Sequence, residues 1–288
     1  MTMLRDTIEH LCASGKIEPF QRLPLTRLSS VQWDDPALGA RLLPVHMDGN
    51  TDQASRGPVL RIAVENWISA VAGDLERHSV LDLYCGTGSL ANCSRTRRYV
   101  GVEVNPVLAD AARKLHRAGA NFICDDALAY VHVANLSKVS LVLVLYECLN
   151  GLGTTAAYEL LRLMNRMCSP GTWLIGDVRL RGSGWGRQCI SASGCIYFAP
   201  SEADLVIDES GYTDDGVYFG HRYVALAAGA VTESVHSFIE LFSADGVTEL
   251  LKSTGWQPRT SQLVLSGLPT DVEECADNLF FAAIASAS

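Results

Sequence analysis

The sequence predicts an α/β fold: a doubly wound, mostly parallel sheet with an antiparallel C-terminal hairpin and an N-terminal helical cap. Three observations predict it. Apolar runs alternate with helix-compatible stretches between residues 80 and 178, the pattern of βαβ crossovers. The runs end at Asp82, Glu103, Asp125 and Tyr146, at intervals that fit one strand plus one crossover helix. With 288 residues, 48% hydrophobic and 19% charged, the chain has the apolar surface for one large domain with an appendage.

The elements follow in order. Residues 1–57 form an arm: a short amphipathic start from Leu4 to Leu11, then a polar extension broken by Pro19, Pro24, Pro36 and Pro44. The main domain spans 58–288 and opens with a helix from Pro58 to Ala72, because Leu60, Ile62, Ala63, Trp67, Ile68 and Val71 recur at near-helical spacing and proline suits a first turn. Val80 to Tyr84 is a strand that enters a glycine turn and a helix-compatible stretch. Tyr99–Val104, Asn121–Cys124, Leu141–Tyr146 and Thr172–Val178 are further strands, separated by helices over Pro106–Ala118, Ala127–Val133 and Thr154–Met167. Residues 181–216 are an irregular insert rich in glycine, serine and aromatics, longer than an ordinary connection. Val217–Ala227 and Ala230–Phe242 read as a hairpin, Ser243–Thr254 as a helix ended by Gly255, and Asn278–Ile284 as a last strand pairing back into the sheet.

Charge excludes some partners. Twenty-three basic against thirty-two acidic residues leave a net −9, which disfavours nucleic acid, since each phosphate contact needs its own cation. A small-molecule substrate fits better. No apolar run approaches the ~20 residues of a membrane span, and the first twenty residues lack a signal-peptide core, so the expectation is a cytoplasmic protein with no membrane partner. The nine cysteines contain no C-x-x-C pair and read as reduced, buried thiols. The histidines show no metal-ligand spacing, so no metal is expected. Oligomeric state is not legible.

The chemistry concentrates in Val80-Leu81-Asp82-Leu83-Tyr84-Cys85-Gly86-Thr87-Gly88-Ser89-Leu90. Glycines after a strand let a ligand approach the backbone, and free N–H groups beyond them suit an anion. Gly86-x-Gly88-x-x-Ala91 also satisfies the dinucleotide fingerprint. Asp82, inside the strand and four residues before the first glycine, separates the two readings. The stretch resembles motif I of class I S-adenosylmethionine-dependent methyltransferases, with Tyr84 standing where the family has its first glycine.

The resemblance implies a Rossmann-like fold and S-adenosylmethionine as cosubstrate. It places Asp82, Tyr84, Gly86 and Gly88 around the methionine moiety and Glu103, beside Val104, on the ribose hydroxyls. Asp125 and Asp126, followed by Ala127, would meet the adenine amino group. The competing reading of Glu103 and Asp125 is that of solvated strand-end acids. Asp52-Gln53-Ala54-Ser55-Arg56 resembles a segment found before motif I in bacterial small-molecule methyltransferases, including those of secondary metabolism. Arg56 there would pair with the cofactor carboxylate unless it is a plain surface arginine. Tyr146 and Asn150 would orient an acceptor and Glu147 take its proton, the alternative being a core tyrosine and a helix-capping glutamate. Phe20, Trp33, Trp185 and Tyr197 are candidates for an aromatic lid over the sulfonium. His46, His132, His221 and His236 are weaker candidate bases.

The implied activity is methyl transfer to a small metabolite. A rival of the same look uses S-adenosylmethionine alone, cyclising it to azetidine-2-carboxylate and methylthioadenosine. A third reading is a non-catalytic binding module.

Overall fold

A computed structural model describes residues 2–20, 23, 28–48, 57–73, 75–91, 98–116, 119–182, 189–192, 203–213, 216–262 and 278–286. The chain divides into two compact units, Trp33–Leu180 with Phe242–Ser288, and Met1–Gln32 with Arg181–Leu241. This differs from the expected division. The arm parts at Gln32/Trp33 rather than after residue 57, and the insert runs on to Leu241 and takes the predicted hairpin with it.

The larger unit is a seven-stranded sheet. Its strands are β1 (Ser79–Leu83), β2 (Arg98–Glu103), β3 (Ala120–Cys124), β4 (Leu141–Val144), β5 (Trp173–Arg179), β10 (Trp256–Gln262) and β11 (Asn278–Ala285). They lie in the order β10-β11-β5-β4-β1-β2-β3. β1 to β5 are mutually parallel, and β11 runs antiparallel to both β5 and β10. The doubly wound fold is therefore present, with its antiparallel C-terminal pair made by β10 and β11. β10 is an addition to the predicted elements. Its exposed, polar sequence WQPRTSQ lacks apolar alternation because it is an edge strand, and Pro258 is tolerated there.

Alternate residues along each strand face two cores. On one side Leu81, Leu83, Val142, Val144 and Phe281 pack with α5 (Ala127–Val133), α6 (Cys148–Met167) and α7 (Ala244–Ser253). On the other Val80, Tyr99, Leu141, Ile175 and Phe280 pack with α3 (Pro58–Ala72) and α4 (Pro106–Leu115). The caps are those the residue types demand: Asn105 accepts from the Val107 amide at 3.0 Å, Asp126 from Ala129 at 2.9 Å and Ser243 from Gly246 at 3.0 Å. A helix over Pro36–Met47 (α2), capped by Asp35 with Pro36 in its first turn, replaces part of the expected extension. Pro44 inside it disguises the helical pattern.

Gly176 shows how tightly β5 is held. A Cβ there would lie 2.6 Å from the Phe281 ring and 2.7 Å from the Val144 carbonyl oxygen. Gly176→Ala is expected to destabilise the unit by about 2–3 kcal/mol, since a backbone oxygen in a central strand cannot give way. Urea denaturation measures this, and an unchanged midpoint would refute the packing.

The smaller unit is a four-stranded antiparallel sheet in the order β6-β7-β8-β9 (Cys189–Ala192, Leu205–Tyr212, Tyr218–Ala227, Ala230–Glu240), with helix α1 (Thr2–Ala13). Ile8, Leu11, Ile17, Ile190, Ile207, Val224 and Leu226 form its core, and Arg222 pairs with Glu209 in its interior. The predicted hairpin is β8 and β9, but it belongs to this sheet. Residues 205–212, taken as irregular, are a strand.

No described helix is long and apolar enough to cross a membrane.

Candidate active site at the carboxyl end of the parallel strands

β1 ends in a turn that alternates strain and freedom. Tyr84 has φ 62°, Gly86 55° and Gly88 76°. Glycine adopts this region without cost, whereas a residue with a Cβ there is disfavoured by roughly 1–2 kcal/mol. Tyr84 therefore keeps the backbone shape of the motif at some expense. The helix-compatible stretch that should follow is turn through Ala91, and residues 92–97 lie outside the described set.

A cavity opens on this turn. It is lined by Asp82, Tyr84, Cys85, Gly86, Thr87, Ser89 and Leu90 from β1 and its turn, by Leu145, Tyr146 and Cys148 beyond β4, by Arg61 and Val64 of α3 and by His46 of α2. Asp82 is 5% exposed and Glu103 is 9% exposed. The Tyr99 hydroxyl donates to Asp82 Oδ2. Tyr99 reaches it because β2 residue Gly101 stands opposite Asp82 in the register, so the tyrosine two residues earlier shares its face. Burial, with the neighbouring Glu103 charge, pushes Asp82 up to about 7 although the Tyr99 hydrogen bond opposes it. Glu103 is also raised, by burial against its backbone hydrogen bonds. Its Oε2 accepts the Gly86 amide at 3.0 Å and its Oε1 the Asn105 amide at 2.8 Å, which ties the glycine turn to the end of β2. Among the described residues no ion pair engages either carboxylate.

His46 caps the turn. A Cβ on Gly86 would fall 2.8 Å from its ring, and burial lowers its pKa to about 4, so the imidazole is neutral near pH 7. α2 is held in place by Asn105, whose amide donates to the carbonyls of Trp33 at 2.8 Å and Asp35 at 3.0 Å. The thiols of Cys85 and Cys148 are pushed up by burial and by the surrounding carboxylates, which leaves them protonated.

The remaining predicted residues spread along the same edge. Gly88 lies in the turn against Phe122. Val104 accepts the Cys124 thiol through its carbonyl, and Ala127 is buried in the core. Asp126 caps α5 with its side chain, while Asp125 is exposed and accepts the Asp126 amide at 2.9 Å. None of these lines the cavity.

Beyond β4 the expectation needs correction. The strand stops at Val144, and Tyr146 and Glu147 both take left-handed φ values, 66° and 59°. Glu147 Oε1 is held by the Arg179 guanidinium at 2.9 Å and the Asn278 amide at 2.9 Å, so that oxygen is already engaged within the protein. It stands at the N-terminus of α6 but its side chain caps nothing. Asn150 is fully buried; it donates to the Arg179 carbonyl at 3.0 Å and accepts the Arg179 amide at 2.9 Å, a backbone splice rather than a substrate group. The α6 helix proper starts at Thr154, as its periodicity predicts, after a break at Gly153.

Phe20 is core in the smaller unit, 5.3 Å from Phe238 between ring centroids, and Trp33 is 43% exposed. His132 is exposed, His221 pairs with Asp208 at 3.0 Å, and His236 lies on β9 beside Phe238. Cys124 is exposed, against the expectation of buried thiols. Arg56, Trp185 and Tyr197 lie outside the described residues. Of the weaker candidate histidines His46 alone lines the cavity among the described residues, and Arg61 and Tyr99 are additions that the motif does not signal. Arg61 is the one with a legible trace, a cation in the first turn of a mostly apolar helix.

Neither a protein-family model nor a curated protein sequence matches the chain. Solved structures do. The chain is similar to the CcbJ methyltransferase from Streptomyces caelestis at 14% identity and a TM-score of 0.61, covering 88% of this chain and 100% of that one. It is similar to an S-adenosylmethionine-dependent methyltransferase from Clostridium acetobutylicum at 12% identity and a TM-score of 0.59, covering 86% and 99%. A third is CalS10, an amino pentose methyltransferase from Micromonospora echinaspora solved with S-adenosylmethionine bound, at 18% identity and a TM-score of 0.54, covering 79% and 90%. The fold is that of the S-adenosylmethionine-dependent methyltransferases. Within this methyltransferase fold the Asp82 turn occupies the carboxyl edge of the first parallel strand, where ligands of doubly wound sheets bind.

Proposed function

We propose that the protein binds S-adenosylmethionine and transfers its methyl group to a small-molecule metabolite. The observation that carries this reading is the pair of buried carboxylates, Asp82 and Glu103, flanking a glycine turn with no cationic side chain among the described residues paired to either. Burying a carboxylate without a partner costs several kcal/mol, so the site is built to receive positive charge from a ligand. A sulfonium bearing an α-ammonium group supplies it, and the bare backbone of Gly86 and Gly88 admits close approach. The Glu103 oxygens each keep a lone pair beyond their amide bonds, enough to accept from a ribose diol. Arg61 offers a planar fork for the α-carboxylate, with Arg56 the alternative that the motif resemblance implies. Asp125 is the candidate acceptor for the adenine amino group.

When bound, S-adenosylmethionine contributes an electrophilic methyl carbon and a good leaving group. The chain's part is to align and to exclude water. His46, neutral and packed on the glycine turn, closes the crevice without repelling a cation. The Tyr146 side chain lines the same cavity, where an aromatic face attracts positive sulfur. Rate enhancement then comes from in-line placement of the acceptor rather than from a strong base, in keeping with Glu147 being committed to Arg179.

Incubation with S-adenosylmethionine and a panel of amine, hydroxyl and amino-sugar acceptors, followed by chromatography of the released nucleoside, tests the proposal. Adenosylhomocysteine formed only with an acceptor is the expected result. Methylthioadenosine formed without one would overturn methyl transfer in favour of cyclisation, and calorimetric absence of binding would overturn both.

A further inference from the structure

Two consecutive residues with side chains, Tyr146 and Glu147, sit in the left-handed region directly where β4 meets the cavity. Such strain persists only where surrounding structure over-determines it, and here the surroundings can be named. Asp177, fully buried on β5, accepts the Tyr146 amide on Oδ1 at 2.5 Å. Asn278, fully buried at the start of β11, donates through one amide nitrogen to Asp177 Oδ2 at 3.1 Å and to Glu147 Oε1 at 2.9 Å. Arg179, whose backbone is spliced to Asn150, neutralises Glu147. One strand thus holds the backbone of the first strained residue, another holds the side chain of the second, and a single amide couples them.

A buried charged network of this kind is seldom the most stabilising way to fill space, because well-packed apolar residues serve stability as well or better. What it provides is geometry. The turn it fixes ends in Tyr146, which lines the same cavity as Asp82. Tyr146 follows the end of β4 by two residues, and β4 lies beside β1 with Leu143 and Asp82 in register.

We propose that Asp177 and Asn278 are positioning residues, which hold the strained Tyr146–Glu147 turn so that the Tyr146 ring stays at the reacting centre. This rests on the S-adenosylmethionine reading for its functional half, while the tie itself is a property of the ligand-free protein.

The test uses Asn278→Ala and Asp177→Asn in the full chain, each alone and combined with Tyr146→Ala. Hydrogen exchange of the ligand-free protein, read by mass spectrometry on the peptide holding Tyr146 and Glu147, should rise in Asn278→Ala. Asp177→Asn, whose side-chain oxygen can still accept the Tyr146 amide but whose nitrogen meets the Asn278 donor, should raise exchange less than Asn278→Ala does. With S-adenosylmethionine, Asn278→Ala should lower kcat at least tenfold with less than a threefold change in Kd. In the Tyr146→Ala background the same substitution should change kcat less than twofold, while its effect on melting temperature persists. Equal losses in both backgrounds would overturn positioning in favour of a general structural role, and unchanged exchange would overturn the tie. If the parent protein neither binds nor turns over S-adenosylmethionine, the functional reading fails, and exchange alone decides the tie.

Discussion

Asp82→Asn is expected to weaken S-adenosylmethionine binding at least a hundredfold at pH 8 and, in the same protein, to raise ligand-free stability. The two effects have one cause. Asp82 is buried and its carboxyl is raised from 3.8 to about 7. A raised folded-state pKa contributes stability that is present below the unfolded value and is lost as pH rises through the folded one. Ligand-free protein should therefore lose stability from this group between about pH 4 and pH 7. Asparagine, isosteric and uncharged, can still accept from Tyr99 and escapes that loss. The variant should gain a few kcal/mol at pH 8, since each tenfold change in proton affinity between folded and unfolded chain is worth roughly 1.4 kcal/mol, and little at pH 4.

The ligand's cation reverses the balance by providing the missing partner, and a charge-assisted contact in a dry site is worth about 2–3 kcal/mol, near a hundredfold in affinity. Binding to the parent should strengthen about tenfold per pH unit up to pH 7 and then level off, because a proton must leave Asp82. His46, lowered to about 4, stays neutral through that range and adds no slope. Calorimetric titration and thermal melts over pH 5 to 8 measure both effects. Undiminished affinity in the variant, or a variant less stable than its parent at pH 8, would remove Asp82 from the binding site.

Arg61→Ala is expected to weaken S-adenosylmethionine about 10- to 50-fold, which is the loss of one bidentate carboxylate contact, and to leave decarboxylated S-adenosylmethionine unaffected. Arg61 enters the cavity from α3, and its ion pair with Glu65, at 3.7 Å, is too long to hold the guanidinium. An i,i+4 pair of this kind is worth only about 0.3–0.5 kcal/mol, so the fold should survive its removal. The decarboxylated ligand makes the test specific. Equal losses for the two ligands would assign Arg61 to packing, and no loss for either would leave the α-carboxylate to Arg56.

The parallel half of the fold was legible because local signals and tertiary demand agreed. Fully buried strands such as Leu141–Val144 must be apolar on both faces, and the stops and starts between them are written in caps such as Asn105-Pro106 and Asp126. α2 was missed because Gly39 and Pro44 within it hide the periodicity, β7 because Asp208, Glu209, Ser210 and Gly211 follow its short apolar start, and β10 because an edge strand needs no apolar face. At the site, Asp82 and the glycine turn stood out since a close backbone approach requires particular residues in a contiguous run. Tyr146 was recognisable as polar punctuation after an apolar strand.

Legible along the chain were features carried by residues close to one another: the strand-turn motif, the beat of crossovers and helix starts such as Asn105-Pro106. Long-range packing settles which carboxylates lack a counter-charge among the described residues. Glu147 looked like the reactive acid and is neutralised by Arg179, thirty-two positions away. Asp82, hydrogen-bonded to Tyr99 in a cavity that His46 also lines, has no ion-pair partner among the described residues. Electrostatic environment is set by neighbours in space and by exclusion of water, and neither is encoded in the order of residues along a single segment.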